Sequence, residues 1–103
     1  MLRIFIDETD TWQGKPLYEV IVKKARKMNM AGATVVRGIM GFGADSRIHT
    51  AKVLRLSEDL PVVVEIVDEQ DKIDAFIPFL DEVVKEGLIT RERVNVIKYR
   101  HGD

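Results

Sequence analysis

Two glycines flank one phenylalanine at Gly41-Phe42-Gly43, and the residues around them are basic. Between Arg37 and Arg55 the chain carries Arg37, Arg47, Lys52 and Arg55, with His49 among them and only Asp45 opposed. The whole chain, by contrast, has a net charge of -1. Glycine has no Cβ, so main-chain N–H groups near Gly41 and Gly43 can converge on an anion while basic side chains reach the same oxygens. A charge-assisted hydrogen bond contributes roughly 1.5–3 kcal/mol. A micromolar ligand requires about 8 kcal/mol, so about three or four such contacts plus stacking of a base suffice. On this physics alone a second reading stands level with the first: a glycine-rich strand end leading into a solvated, charged loop. The connection over residues 43–60 is long for so small a domain, and connections of that length are commonly functional or without fixed structure.

Other chemistries fit these residues less well. Gly38, Gly41 and Gly43 read G-x-x-G-x-G, the reverse of the dinucleotide fingerprint, and they close a strand without opening a helix. No G-K-[ST] phosphate loop is present. Ser46 and His49 lie close in sequence but lack an orienting third group, and Ser57 has no base beside it, so nucleophilic catalysis is not expected. Asp45, His49, His101 and Asp103 are possible metal ligands, yet no H-x₃₋₅-H or H-E-x-x-H spacing joins them. Two solvated histidines is the favoured reading, and no metal site is assigned. The absence of cysteine rules out disulfides and thiolate chemistry.

The elements that must position these residues follow from periodicity. "LRIFIDE" alternates and predicts a first strand, with Leu2, Ile4 and Ile6 on one face and Arg3, Phe5 and Asp7 on the other. "TDTWQGK" reads as a loop. Pro16 suits a first helical turn, and Leu17, Val20, Ile21, Ala25 and Met28 recur at helical spacing, with Gly32 at the exit. "ATVVRGIMGF" predicts a second strand over residues 33–42, with a bulge or close approach at Gly38. "PVVVEIVD" predicts a third. Asp68 is placed to cap a second helix whose apolar stripe runs through Ile73, Phe76, Ile77, Leu80, Val83 and Val84, bent by Pro78 and ended by Gly87. "RVNVIKY", residues 93–99, predicts the last strand. The order βαββαβ gives an α+β, ferredoxin-like sandwich: a four-stranded antiparallel sheet with two helices on one face. The other face keeps Phe5 and several Val and Ile side chains, which further subunits are expected to cover.

The chain has 103 residues, 46% of them hydrophobic and 32% charged, which predicts one globular domain over residues 1–103. Near-neutral net charge argues against nucleic-acid binding. Acidic residues follow the short apolar start, unlike a signal peptide, and no apolar run approaches the ~20 residues that span a bilayer, so a cytoplasmic location is expected.

"AGATVVRGIMGFG", then a long loop, "PVVVEIVDE", a helix and "EGLITRERVNVIKY" together resemble the PII signalling-protein superfamily, and within it a small PII-like family long catalogued as a domain of unknown function. The resemblance covers almost the whole chain, and Gly-Phe-Gly is its most specific local signature. It implies a homotrimer of ferredoxin-like subunits that is not an enzyme and that binds an adenine nucleotide, ATP or ADP, in clefts between neighbours. It also implies a mobile loop that contacts a protein partner, with a membrane transporter among the candidates. Gly41, Phe42 and Gly43 then form the loop base, and Ala44, Asp45, Ser46, Arg47, Ile48, His49 and Thr50 begin the loop, with Arg47 near phosphate. Glu65 and Val67 flank the adenine. Arg93 pairs with phosphate at the start of the last strand, and Arg100 stands in for two C-terminal arginines of PII. The family's Gly-Asp-Gly-Lys turn before the last strand has "TRER", Thr90 to Arg93, in its place, so that side of the phosphate cradle is expected to differ. The alternative within the same architecture is a trimeric divalent-metal or ion-tolerance protein using His49 and Asp45. Acylphosphatases share the fold, but they need an arginine-bearing loop after the first strand, and "DETDTWQGK" is acidic there.

Overall fold

The computed structural model describes residues 1–42 and 60–100. Its elements run β1 (Leu2–Asp7), β2 (Thr11–Trp12), β3 (Lys15–Pro16), α1 (Leu17–Lys27), β4 (Ala33–Arg37), β5 (Pro61–Ile66), α2 (Gln70–Val83) and β6 (Leu88–Arg91). Four strands form one antiparallel sheet in the order β4-β5-β1-β6, and the fold is the expected ferredoxin-like sandwich. The short β2–β3 pair is an addition. The segment expected as plain loop turns back on itself at Gln13 and Gly14, both at positive φ, as a two-residue hairpin of the twisted kind requires.

The core lies between the helices and one sheet face. Leu2, Ile4 and Ile6 of β1 pair with Ile66, Val64 and Val62 of β5, and all six are buried. Facing residues in an antiparallel pair share a side, so this is one continuous apolar surface. Leu17, Ile21 and Ala25 of α1, with Ile73, Phe76, Leu80 and Val83 of α2, close over it at helical spacing. No polar or charged side chain is buried among the described residues.

Helix α1 leaves earlier than expected. Asn29, not Gly32, takes the left-handed position at φ 58. The Met30 amide donates to the Ala25 carbonyl at 3.0 Å and the Asn29 amide to the Arg26 carbonyl at 3.0 Å, which is a Schellman closure. Asp68 does not cap α2, because Glu69 occupies the cap position. Instead the Asp68 carboxylate accepts from its neighbour's Glu69 amide at 2.7 Å and from the Ala31 amide at 2.9 Å, tying the end of β5 to the entry of β4. Pro78 stays inside α2, and Gly87 follows it at φ 153, where a Cβ would come within 2.7 Å of the Phe5 carbonyl oxygen.

The last strand differs from its expected position. β6 is "LITR", and residues 93–99 are not in the sheet. Leu2 of β1 faces Arg91, so the β1–β6 ladder is used up there, apart from Met1 and Glu92 exchanging hydrogen bonds just beyond it. Alternation reports which residues share a face. It does not report whether a strand lies alongside.

Candidate functional site

β4 ends at Arg37, five residues short of its expected span, and the reason is Pro61. The Gly38 amide still donates to the Pro61 carbonyl at 2.7 Å. Proline has no N–H to return, so the ladder stops there. A Cβ on Gly38 would stand 2.7 Å from Pro61 Cγ, and one on Gly41 would stand 3.0 Å from the same atom. Neither glycine has positive φ. Both positions therefore need the missing Cβ for space against the proline ring, not for an unusual backbone angle. Pinned this way, the stretch turns its large side chains outward: Ile39 is 93% exposed and Phe42 90%.

The basic surplus is smaller than it reads in the sequence, because Arg37 forms an ion pair with Glu8. Gly43, residues 44–50 including Arg47, and Lys52 and Arg55 lie outside the described residues. So do Ser46, Ser57 and the four metal-ligand candidates Asp45, His49, His101 and Asp103. Among the described residues no group of three or more His, Asp or Glu side chains could hold a metal ion.

The sheet face away from the helices carries two rungs that cross all four strands. By register, Val36, Val63, Phe5 and Leu88 line up across β4, β5, β1 and β6. Thr34, Glu65, Arg3 and Thr90 form the next rung. The first rung is apolar and open to solvent at both ends, with Val36 47% and Leu88 56% exposed. In the second, Arg3 bridges two carboxylates, donating from Nε to Glu65 at 2.9 Å and from Nη1 to Glu92 at 2.8 Å. The hydrogen bond to Glu65 is the main cause that raises the Arg3 pKa above its ordinary value. Partial desolvation works against it, and the nearby charges of Glu92 and Glu65 add to it. Glu65, named from the sequence for the adenine side of a cleft, is therefore already engaged by Arg3. The alternation of β1 placed Arg3 on this face, but nothing local in the sequence marks it as the residue that links a carboxylate of β5 to the one just after β6.

At the opposite end of the sheet from Pro61, Val67 and Arg93 line the same open cavity of about 610 Å³, with Ile73, Gln70, Arg91 and Val94 around it. Arg91 is held by Asp74 at 2.8 Å. Arg93 and Arg100 make no hydrogen bond or ion pair among the described residues. Arg93 does not begin the last strand; it follows β6. The turn that precedes β6 is residues 84–87, which contains Gly87. Thr90 and Arg91 are strand residues and the turn lies upstream. Within one chain, Gly41 and Phe42 stand at the Asp7 end of β1, and Val67 and Arg93 at the Leu2 end. The chain brings Val67 to Arg93 but does not bring either to the loop base.

No helix among the described residues is long and apolar enough to cross a membrane. A family model, DUF190, described as "Uncharacterized ACR, COG1993", matches residues 1–96. A UPF0166 protein of Aquifex aeolicus is 43% identical over 99 residues, covering 94% of this chain and 91% of the relative. A UPF0166 protein of Methanocaldococcus jannaschii is 36% identical over 99 residues, covering 95% and 91%. A second Aquifex aeolicus UPF0166 protein is 37% identical over 78 residues, covering 76% and 81%. With a family model spanning all but the last few residues and relatives matched over nearly their whole length, this chain belongs to the DUF190 family.

Proposed function

We propose that the chain is a PII-like regulatory protein: a homotrimer that binds an adenine nucleotide, ATP or ADP, in clefts between subunits and signals to a protein partner through residues 44–50. The observation that carries this reading is the open sheet face. A continuous apolar rung of Val36, Val63, Phe5 and Leu88 faces solvent in a single chain, and copies of the same chain are its natural cover. Clefts between copies then fall at the margins of the sheet, where the loop base and Arg93 lie. Phe42 supports the nucleotide part, since an exposed ring beside a basic segment offers a base a stacking surface. The resemblance to PII proteins supports the regulatory part.

Calorimetry with ATP, ADP, AMP and cyclic nucleotides, run beside native mass spectrometry, tests both halves. The expected result is a trimer mass and saturable heat with at least one nucleotide. Arg47→Ala and Arg93→Ala should each weaken that binding about tenfold or more, the size of one charge-assisted contact. A monomer mass removes the trimer. Silence with every nucleotide removes the ligand, and equal affinity in both variants removes the assigned residues.

A further inference from the structure

The corner after β1 is tied by its own backbone. The Asp10 amide donates to the Asp7 carbonyl at 3.0 Å, and the Asp7 amide donates to the Asp10 carboxylate at 3.0 Å. The Leu17 amide donates to the Asp10 carbonyl at 2.8 Å. Glu8 sits inside this turn and reaches out of it twice. Its amide donates to the Leu60 carbonyl at 3.0 Å, and its carboxylate pairs with Arg37. Arg37 is fixed as well. It faces Val62 in the β4–β5 register, and the next amide, of Gly38, donates to the Pro61 carbonyl. A single residue of the β1 corner thus touches the chain just before Gly38 and just before Pro61.

The ion pair is lopsided. The Arg37 side chain is 64% exposed and the Glu8 side chain 20%. The pairs of Arg3 with Glu65 and of Arg91 with Asp74 are shared more evenly. A mostly covered carboxylate has lost hydration that a cation must make good, so Glu8 is set into the body and Arg37 comes to it. The contact uses only Nη2 of the guanidinium, and among the described residues Nε and Nη1 have no partner. A guanidinium is a planar fork of N–H donors, best matched by an anion that presents two oxygens. Val62 is buried on the helix side, and facing residues share a side, so Arg37 leaves the sheet there, away from the apolar rung of Val36 and Phe5.

We infer that Arg37 is a phosphate-binding residue held in reserve by an internal anion: Glu8 occupies its guanidinium in the free chain, and a phosphate group of the bound ligand takes that place. The inference rests on the nucleotide reading above and adds to it a binding residue and a competitor. Glu8 presents one oxygen to one nitrogen, whereas a phosphate can engage the fork with two. The exchange opposes binding by a fixed amount, because the covered carboxylate is left without its cation. A ligand with several phosphate oxygens offsets that loss, and a lone carboxylate does not. Di- and triphosphates are therefore the class the corner admits.

Calorimetry with ATP and with inorganic tripolyphosphate tests this. Glu8→Gln keeps the length of the side chain and the amide bond to Leu60, and it removes the competing charge. It should bind both anions about tenfold more tightly than wild type. Arg37→Ala, on an exposed side chain, should bind them about tenfold more weakly. In E8Q/R37A the gain from Glu8→Gln should vanish, since the two residues act through one contact. Asp81→Asn removes an equal charge from the exposed side of α2 and should bind as wild type does. Equal ATP affinity in wild type, E8Q and R37A overturns the inference and leaves the nucleotide reading standing. A gain in E8Q that survives in E8Q/R37A, or that Asp81→Asn reproduces, also overturns it, because the effect is then one of net charge alone. Tripolyphosphate binding that tightens in E8Q only while Arg37 is present, with no nucleotide bound by any of these proteins, upholds the exchange and sinks the nucleotide reading. Silence with both anions in every protein overturns the two together.

Discussion

The two faces of the sheet are made from the same four strands and have opposite fates. On the helix side, Leu2, Ile4, Ile6, Val62, Val64 and Ile66 belong to a buried core of thirteen residues that also includes Phe76 and Leu80. On the other side, the residues between them, Phe5, Val63 and Val36, are only partly covered, and a charged rung centred on Arg3 lies next to them. The difference teaches what each face contributes to the single chain. The covered face holds the chain together, and the open face combines apolar surface with fixed charge outside that core. Removing a side chain from the first should unfold the molecule. Removing one from the second should leave the fold and change what the molecule does.

The largest break in that contrast is Phe76→Ala. Phe76 is fully buried, and truncation should cost about 3–5 kcal/mol in urea unfolding. Gly87→Ala comes next, at about 1–3 kcal/mol, since the added Cβ meets the Phe5 carbonyl at 2.7 Å on a backbone at positive φ. Arg3→Met should cost less than either of these, because both ion pairs are partly exposed and screened by solvent. Its sharper signature is salt: the difference from wild type should shrink at high ionic strength. Leu88→Lys, on the open face, should alter unfolding by less than about 0.5 kcal/mol while abolishing assembly in sedimentation. A Leu88→Lys protein that melts like Phe76→Ala would erase the distinction between the faces, and one that assembles normally would move the interface elsewhere.

Much of the architecture was legible in the residues because burial writes period two into β1 and β5 and period 3.6 into both helices. The misplaced last strand shows the limit. "RVNVIKY" alternates better than "LITR", but pairing depends on which strand runs alongside, a long-range fact that no local pattern carries. The glycines show a second limit. Their clustering flagged the site, but the space requirement that explains Gly38 and Gly41 comes from Pro61, about twenty residues onward in the chain. The charge count erred in the same way, since Glu8, which engages Arg37, lies far from it in sequence. Glu65 was visible as a candidate, but its commitment to Arg3 follows from register and not from spacing.

Pro61 has a further consequence. Because it can accept but not donate at the last rung, the zipper between β4 and β5 has a built-in terminus, set by covalent structure and not by a balance of competing contacts. The rung at Gly38 and Pro61 thereby fixes where the two strands stop pairing. The register of β4 against β5, and with it the facing of every core side chain on β5, is set on the sheet side of that rung.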